Sequence, residues 1–554
     1  MVNASVTGIG SMESARRVVE ALIRGGVQHV VVSPGSRNAP LVYALAEAQQ
    51  AIHVVVRIDE RSAGFTALGL AIGSSSPVAV LTTSGTAVGN LLPAVMEADH
   101  AGVPLLVLSA DRPEELRGTG ANQTTDQIDL FGSHVRFAAD VAAGDLPEPA
   151  VRTGLDAALG RLDGVATGPV QLNFAFRDPL TPALDGSDFR PLKSSQPVDA
   201  AIETIIPQHQ ESEHRYQTVV LAGHGAGPQA ELFARRHGLP LLAEPSSNAR
   251  FGPNAVGPYR LLLEHFEALI ERVVIFGRPT LSRPVAALMN RADLPRALYL
   301  PRPATWFEEG KRSEQIISDW AALSEFTGSG SASWLEIWLA AQIQAEAALD
   351  DALGEELSGL RLARELWGSS ENLVIGSSNP IRDADLAGRP RSESPRVHAN
   401  RGLAGIDGTI STATGIALAT ARPTRLLVGD LTFLHDVGGL LLPRGEQVPD
   451  LQIVVLNDSG GGIFTLLEHG TLGDEPAYQA AVERYFGTAH DAELASLAAA
   501  YGLEYQLVSS TEQLVEMLQA PVSGRSVLEI RTERTALRGL HDRVRAAISA
   551  ALTI

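Results

Sequence analysis

The chain has 554 residues, which is too long for one typical domain and favours about three to four. Its formal net charge of −20 argues against nonspecific binding to nucleic acid, which needs a basic face. The absence of cysteine excludes disulfides, thiolate metal ligands and a cysteine nucleophile. No basic-then-apolar leader and no apolar run of about 18 residues is present, so we expect a cytoplasmic protein without membrane insertion.

Strand and helix patterns alternate along most of the chain. Apolar strand patterns in the first third occur at residues 27–32, 52–58, 78–81 and 104–108, with helical patterns at 14–24, 63–72 and 87–98. Such alternation predicts a doubly wound parallel sheet. A polar stretch from residue 186 to about 215 is typical of a linker, and new strand patterns begin at Val219 and Leu373. We therefore predict an α/β protein with three doubly wound parallel-sheet domains, residues 1–185, 186–350 and 351–554.

Two buried-strand patterns near the C-terminus each end in an acid beside glycine. One runs from Leu426 to Asp430 and the other from Ile453 to Asp458. The acids are 458 − 430 = 28 residues apart, which leaves room for one crossover helix between adjacent parallel strands. Two carboxylates at this edge, with the carbonyl of Gly460, predict a site for Mg²⁺ or Mn²⁺ and a phosphate. The alternative is two ordinary strand ends with turn acids.

Five polar segments follow the predicted strands of the first domain. They are Ser33-Pro34-Gly35-Ser36-Arg37, Asp59-Glu60-Arg61, Thr83-Ser84-Gly85-Thr86-Ala87, Asp111-Arg112-Pro113 and Gly120-Ala121-Asn122-Gln123-Thr124. An arginine fork at a strand end can bind a carboxylate bidentately. Each segment taken alone is equally consistent with a solvated turn, a glutamate at a helix N-terminus or a surface loop.

The later domains repeat this arrangement of serine, glycine and arginine. Ser378 and Arg382 follow the strand pattern that begins at Leu373, and the glycine-rich loop 400–408 carries Arg401 and Ile406. Glycine density of this kind predicts close contact between backbone and ligand. In the middle domain Arg283 follows a strand pattern, where a surface salt bridge is the alternative.

The spacing of Gly429-Asp430 and Asn457-Asp458-Ser459-Gly460 resembles the metal–diphosphate signature of thiamine diphosphate enzymes, which usually have Asn where Asp458 stands. The order of the five N-terminal segments resembles the 2-succinyl-5-enolpyruvyl-6-hydroxy-3-cyclohexene-1-carboxylate synthase family of menaquinone biosynthesis. This resemblance covers nearly the whole chain. It implies the thiamine diphosphate-binding fold, with a pyrimidine-binding domain first and a diphosphate- and metal-binding domain last.

The resemblance also implies roles for individual residues. Glu60 is expected to be catalytic, hydrogen-bonding the aminopyrimidine ring, and Ile406 to hold the coenzyme in a bent shape. The residues expected to bind thiamine diphosphate are Glu60, Thr82, Gly85, Ile406, Gly429, Asp430, Asp458, Gly462, Ile463 and Phe464.

The implied reaction is a decarboxylation of 2-oxoglutarate followed by a conjugate, Stetter-type addition of the succinyl carbanion to isochorismate, a transferase activity. Ser378, Arg382 and Arg401 are expected to bind 2-oxoglutarate. Isochorismate is expected to contact Ser36, Arg37, Arg112, Asn122, Gln123 and Arg283. The resemblance further implies a homodimer or homotetramer with active sites between subunits. The alternatives are another thiamine diphosphate decarboxylase or carboligase, similar to acetohydroxyacid synthase, and a non-catalytic nucleotide-binding protein.

Overall fold

In this computed structural model residues 8–192, 214–308 and 310–552 are described. They form three sheets in which every strand pair is parallel, which confirms the predicted α/β class. Most of the stretch predicted as a linker lies outside the described residues. None of the described helices is both long and apolar enough to cross a membrane.

The first sheet is built from six short apolar strands. They are β1 (His29–Val32), β2 (His53–Val56), β3 (Val78–Thr82), β4 (Leu105–Asp111), β5 (Ala138–Val141) and β6 (Val170–Ala175), in the order β2-β1-β3-β4-β6-β5. The helices are α1 (Ser11–Arg24), α2 (Ala39–Glu47), α3 (Glu60–Ser74), α4 (Thr86–Gly89), α5 (Leu92–Ala101) and α6 (Glu148–Ala158). Because side chains alternate along a strand, Val30 packs on α1, α2 and α6, whereas Val31 packs on α3 and α5.

One helix prediction in this unit was wrong in its bounds. Residues 87–98 read as a single helix, but the structure has α4 and α5 with Asn90 and Leu91 between them. Pro93 lies in the first turn of α5, where a proline is tolerated, whereas in a continuous helix it would remove a hydrogen bond. The proline therefore starts a new helix.

The second sheet has five strands. They are β7 (Thr218–Ala222), β8 (Leu241–Ala243), β9 (Arg272–Phe276), β10 (Arg296–Tyr299) and β11 (Gln315–Ile317), in the order β11-β10-β9-β7-β8. Its helices are α7 (Gln229–His237), α8 (Tyr259–Phe266), α9 (Arg283–Met289), α10 (Trp320–Thr327) and α11 (Ala332–Leu353). Val219 and Val220 of β7 belong to two different apolar cores, so this sheet is also covered on both faces.

The third sheet has six strands. They are β12 (Asn372–Ile375), β13 (Arg396–His398), β14 (Thr424–Gly429), β15 (Leu451–Asn457), β16 (Glu504–Val508) and β17 (Arg525–Arg531), in the order β13-β12-β14-β15-β17-β16. Its helices are α12 (Gly359–Ser369), α13 (Asn379–Ala387), α14 (Thr409–Thr420), α15 (Asp430–His435), α16 (Glu468–Gly473), α17 (Gln479–Val482), α18 (Leu494–Ala500), α19 (Thr511–Gln519) and α20 (Leu537–Leu552). Leu373 and Val374 of β12 pack into opposite cores.

The last helix does not pack only on its own sheet. Leu540, Val544 and Ile548 of α20 join the core of the second unit, together with Trp338 and Leu349 of α11. The C-terminal helix therefore ties the second unit to the third. The boundaries at residues 185 and 350 remain a prediction.

The first and third sheets share one topology. Numbered from its own first strand, each has the order 2-1-3-4-6-5. The strand order reverses between β1 and β3 in one sheet and between β12 and β14 in the other. Ligands of open parallel sheets bind at such reversals, beyond the carboxyl ends of the strands. The fold therefore offers two equivalent crevices, and the predicted site residues follow those strands.

Helices α3 and α14 join these two units at very short range. A Cβ atom on Gly69 would lie 2.0 Å from the carbonyl oxygen of Thr412, and one on Gly415 would lie 2.2 Å from that of Thr66. Only glycine allows two helix backbones to approach so closely. This contact fixes the relative position of the first and third sheets in one chain.

Gly415→Ala is therefore expected to destabilise the protein. The added methyl group meets a backbone carbonyl that cannot move aside, and overpacking of this kind costs about 1–3 kcal/mol. The midpoint of urea unfolding measures the change. Gly539→Ala is the matched control, because it lies in α20 with no neighbour closer than 3.8 Å to its added Cβ. Equal midpoints for the two variants would show that the α3–α14 contact is not tight.

Candidate functional site

A cavity of about 160 Å³ lies at the carboxyl edge of the third sheet. Residues after β12, β14 and β15 meet there, at the reversal of strand order. Its lining includes nine predicted site residues, namely Ser378, Ile406, Gly429, Asp430, Asp458, Gly460, Gly462, Ile463 and Phe464. This third-sheet cavity therefore brings together all residues predicted to hold the metal and most of those predicted to hold the coenzyme.

Asp430 is the first residue of α15 and is only 2% exposed. Its Oδ1 accepts a hydrogen bond from the N–H of Leu431 at 2.7 Å, and its Oδ2 accepts one from the N–H of Gly460 at 2.8 Å. Burial raises the pKa of this carboxyl group, and the hydrogen bonds oppose that rise. Because Gly460 follows β15, the second bond connects the ends of two neighbouring strands.

Asp458 follows β15, whose Leu456 lies opposite Gly429, so the two acids are at adjacent strand ends as their spacing predicts. Burial and the nearby charge of Asp430 raise the pKa of Asp458 to about 7. A Cβ on Gly462 would lie 1.8 Å from Oδ2 of Asp458, so any larger residue would displace this carboxylate. One buried and one half-buried carboxylate beside open backbone are a donor set that fits Mg²⁺ or Mn²⁺ bound to a diphosphate.

His490 is a site residue that sequence analysis did not predict. Its Nε2 lies 3.2 Å from Oδ2 of Asp430. The preceding segment also contacts the glycine loop, because the N–H of Gly461 donates to the carbonyl of Gly487 at 2.7 Å. Sixty residues separate His490 from Asp430, and no spacing rule connects them.

The polar segments of the first unit meet at the equivalent crevice. The guanidinium of Arg112 donates to Oγ of Ser84 at 2.8 Å and to the carbonyl of Gln123 at 2.7 Å. The side-chain amide of Gln123 donates to the carbonyl of Ser84 at 2.9 Å. A Cβ on Gly85, which has φ +80°, would lie 3.0 Å from Cγ of Gln123. The loop that carries Asn122 and Gln123 is therefore held over the end of β3.

Arg37 belongs to this first-unit cluster. Burial and the charge of Arg112 lower the pKa of its guanidinium, which also donates to the carbonyl of Phe176 at 2.9 Å. Ser36, its neighbour in the chain, is exposed, and so is Asn122 in the loop that contacts Arg112. Two partly buried arginines with exposed polar neighbours can bind a carboxylate.

Glu60, Thr82 and Gly85 lie in the first unit. Glu60 begins α3, where the helix dipole favours its charge, and its Oε2 is 3.4 Å from Nδ2 of Asn90. Thr82 and Gly85 are buried at the end of β3. Among the described residues, the lining of the third-sheet cavity includes none of these three. One chain therefore does not bring Glu60 into the cavity with Asp430.

Arg382 and Arg401, the arginines predicted to bind 2-oxoglutarate, lie in the part of the structure that includes Ser378 and Thr280. Arg382 donates to the carbonyl of Ser378 at 2.7 Å, and Arg401 donates to Oγ1 of Thr280 at 2.7 Å. Burial lowers the pKa of both guanidinium groups. The charge of Arg382 also lowers the pKa of Arg401, so the two arginines are close enough to form one basic cluster. Arg283 differs, since it is exposed and pairs with Glu468 at 2.5 Å.

Glu244 contacts this cluster through Thr280 and was also not predicted. It is 2% exposed, and its Oε1 accepts hydrogen bonds from the N–H groups of Thr280 at 2.7 Å and Leu281 at 2.9 Å. Thr280 in turn contacts Arg401. Burial and the nearby charge of Asp385 raise the pKa of Glu244 to about 7. Glu244 is therefore a positioning residue for the loop that orients Arg401.

Comparison with known sequences agrees with this geometry. Residues 12–130 match the family described as thiamine pyrophosphate enzyme, N-terminal TPP binding domain, and residues 385–530 match the corresponding C-terminal TPP binding domain. The first match covers the first-unit cluster and the second covers both acids of the third-sheet cavity. The protein is a thiamine pyrophosphate enzyme.

Individual relatives narrow the family. A 2-succinyl-5-enolpyruvyl-6-hydroxy-3-cyclohexene-1-carboxylate synthase of Paenarthrobacter aurescens (strain TC1) is 59% identical over 99% of this chain and 98% of its own. The synthase of Arthrobacter sp. (strain FB24) is 58% identical over 98% of this chain and 92% of its own. That of Kineococcus radiotolerans is 45% identical over 97% of this chain and 98% of its own. The chain belongs to the 2-succinyl-5-enolpyruvyl-6-hydroxy-3-cyclohexene-1-carboxylate synthase family.

The difference in stability between Glu244→Gln and the wild-type protein is expected to favour the variant more at pH 8 than at pH 5. The raised pKa means that the folded state holds the proton more tightly than the unfolded chain does, so the contribution of Glu244 is lost as pH rises through about 7. Glutamine cannot ionise and keeps an oxygen acceptor for the two N–H groups. Thermal midpoints across this pH range measure the effect. A difference from wild type that is independent of pH, as expected for the exposed Glu371→Gln, would contradict it.

Proposed function

We propose that the protein decarboxylates 2-oxoglutarate with thiamine diphosphate and adds the resulting succinyl group to isochorismate, giving 2-succinyl-5-enolpyruvyl-6-hydroxy-3-cyclohexene-1-carboxylate. This is a transferase reaction of menaquinone biosynthesis, and we expect it in the cytoplasm. The observation that carries the proposal is near-full-length identity of 58–59% to two synthases of that name. The arrangement of acids and arginines at the two crevices supports it.

The metal site is proposed at the acids of the third-sheet cavity. Asp430, Asp458 and the carbonyl of Gly460 would hold Mg²⁺ or Mn²⁺, whose positive charge would offset the burial and the repulsion by Asp430 that raise the pKa of Asp458. Gly462, Ile463 and Phe464 would contact the diphosphate side of the coenzyme, and Ile406 would support its central bend. When bound, thiamine diphosphate supplies a nucleophilic carbon and an electron sink for decarboxylation.

Glu60 is proposed to hold a proton at the aminopyrimidine ring. Its place at the start of α3 keeps the carboxyl group at a strand end, next to Asn90. Enclosure by coenzyme and protein would exclude water from the carboxyl group. Thr82 and Gly85, at the end of the neighbouring β3, would form the floor of the ring site.

The arginines are proposed to bind the carboxylates of both substrates. Arg382 and Arg401, with Ser378, would orient 2-oxoglutarate beside the third-sheet cavity. Arg37 and Arg112, with Ser36, Asn122 and Gln123, would bind isochorismate, and Arg283 would join them after leaving Glu468. Bidentate arginine contacts fix orientation as well as charge, which a carbon–carbon bond-forming step requires.

The active site is proposed to lie between two chains. The described lining of the third-sheet cavity comes from the third unit and lacks Glu60. In the proposed mechanism one coenzyme needs both Glu60 and the acids of this cavity. A homodimer would bring Glu60 of the partner subunit to each cavity, and a homotetramer would pair two such dimers. The three units, residues 1–185, 186–350 and 351–554, would then serve as the pyrimidine-binding, central and diphosphate-binding domains.

Product analysis tests the reaction. Purified protein with thiamine diphosphate, Mg²⁺ and 2-oxoglutarate should release carbon dioxide slowly, and addition of isochorismate should give the succinylated product by mass spectrometry. Omission of the coenzyme or chelation of the metal should abolish the product. Rapid turnover of 2-oxoglutarate without isochorismate, or coupling to a second 2-oxoacid, would instead support another decarboxylase or carboligase.

Paired variants test the subunit arrangement. Glu60→Gln and Asp430→Ala should each lower turnover by roughly 100- to 10,000-fold, because one removes a proton-transfer group and the other a metal ligand. When the two chains are co-expressed with different tags and doubly purified, sites between chains predict about half of wild-type activity, since one site per dimer keeps both residues. Turnover by the doubly tagged dimer is the measurement.

Sites contained within one chain would leave that mixed dimer inactive. A Glu60→Gln dimer carrying both tags is the matched control and should be inactive in either case. Glu512→Gln, at an exposed first-turn glutamate of α19, should keep normal turnover. Glu60→Gln should still bind thiamine diphosphate, whereas Asp430→Ala should bind it weakly at any Mg²⁺ concentration.

A further inference from the structure

A second group of metal-binding side chains lies far along the chain from the acids of the third-sheet cavity. Asp99 and His100 are in the last turn of α5, and His134 ends the short 3₁₀ segment Gly132–His134. One ligand atom from each residue lies within 4.8 Å of the others. None of the three is among the residues proposed for coenzyme or substrate.

The geometry is centred on one carboxylate oxygen. Nδ1 of His134 is 2.9 Å from Oδ2 of Asp99, and Nε2 of His100 is 3.9 Å from the same atom. The two imidazole rings are 6.3 Å apart between centroids and tilted by 49°. An ion bound by all three atoms would need only small side-chain rotations, since ligand atoms about 2 Å from zinc are a little over 3 Å from one another.

Asp99 is held in place by groups that leave Oδ2 available. Arg136 donates to Oδ1 of Asp99 at 2.7 Å and to its backbone carbonyl at 3.0 Å. Oγ1 of Thr305, from the second unit, donates to the same carbonyl at 2.7 Å. Outer contacts of this kind orient a metal-binding carboxylate. The Asp99 side chain is 7% exposed, whereas His100 and His134 are 30% and 31% exposed, so an ion can enter from the histidine side.

We propose that Asp99, His100 and His134 bind a divalent cation of the zinc class. Two imidazoles and one carboxylate favour Zn²⁺, Co²⁺ or Ni²⁺, whereas Mg²⁺ prefers oxygen ligands alone. Three protein ligands leave a fourth position for water, as the exposure of the histidines allows. The ion would fasten the end of α5 to the Gly132–His134 segment.

The proposed ion site is connected through α5 to the loop that carries Arg401. Glu97, two residues before Asp99, is 4% exposed and accepts hydrogen bonds from the N–H groups of Gly402 at 2.6 Å and Leu403 at 2.7 Å. These residues directly follow Arg401. An ion that restrains the end of α5 would therefore restrain the backbone next to Arg401.

Metal content tests the site directly. Protein stripped with chelator, then saturated with thiamine diphosphate and Mg²⁺ to occupy the third-sheet cavity, is dialysed against micromolar Zn²⁺ and analysed by plasma mass spectrometry. We expect about one zinc ion per chain. Co²⁺ in place of zinc should give the visible absorption of a four-coordinate ion. Zinc should also raise the thermal midpoint, because a ligand that binds only the folded state stabilises it.

Three variants decide the assignment. His100→Ala and His134→Asn should lose the bound zinc and the thermal shift, and asparagine keeps an N–H near the position of Nδ1 for its bond to Asp99. His265→Ala is the matched control, because Glu264-His265 is also an acid–histidine pair in the last turn of a helix, α8. It lies outside the proposed site, so this variant should keep both effects. Zinc-free wild-type protein, or equal zinc content in all variants, would overturn the proposal and leave a purely structural hydrogen bond.

Discussion

The removal of Asp430 and Asp458 from water, side by side, is the constraint on which the functional architecture depends. Burial of unpaired carboxylates is costly, and a protein selected for stability alone would replace them. His490 and Arg534 offset part of the charge, yet the pKa of Asp458 is still raised to about 7. Glycine at 462 keeps the space beside Asp458 open, and glycine at 460 allows the loop to approach the carbonyl of Gly487 closely. A cation bound there removes the repulsion, so the site is arranged for its ligand rather than for the empty fold.

The shared strand order of the first and third sheets explains why each chain has two equivalent crevices with predicted site residues at both. Equivalent loops follow equivalent strands, so Arg37 after β1 corresponds to Arg382 after β12, and α3 corresponds to α14. The glycine contacts between α3 and α14 lock the two units in one orientation. In that orientation Glu60 does not line the cavity that holds Asp430. The proposed dimer would unite the two crevices.

Most central strands and the residues that follow them could be predicted from the sequence, because a buried parallel strand is a continuous apolar run. Among the strands not predicted are β5, β6, β8, β11, β13 and β16, since they are short, as Arg396–His398 is, or carry polar residues such as Gln171 and Asn173 of β6. In the site, residues at strand ends were found by local spacing and by family resemblance. His490, Glu97 and Glu244 were not found, because their partners lie 60, 305 and 36 residues away and only the folded chain brings them together.

The distribution of charge explains how an acidic protein can bind dicarboxylate substrates. The net charge of −20 acts over long distances through water, where salt screens it within about 10 Å. In their proposed role, Arg382 and Arg401 would act at contact distance inside low-dielectric walls, where fields are focused and screening is weak. Burial lowers the pKa of both, but a guanidinium starts so high that it stays charged at neutral pH. The charges of Glu244 and Glu97 stabilise the guanidinium of Arg401 in its buried position, and its proposed role is to present that cation to a carboxylate of the substrate.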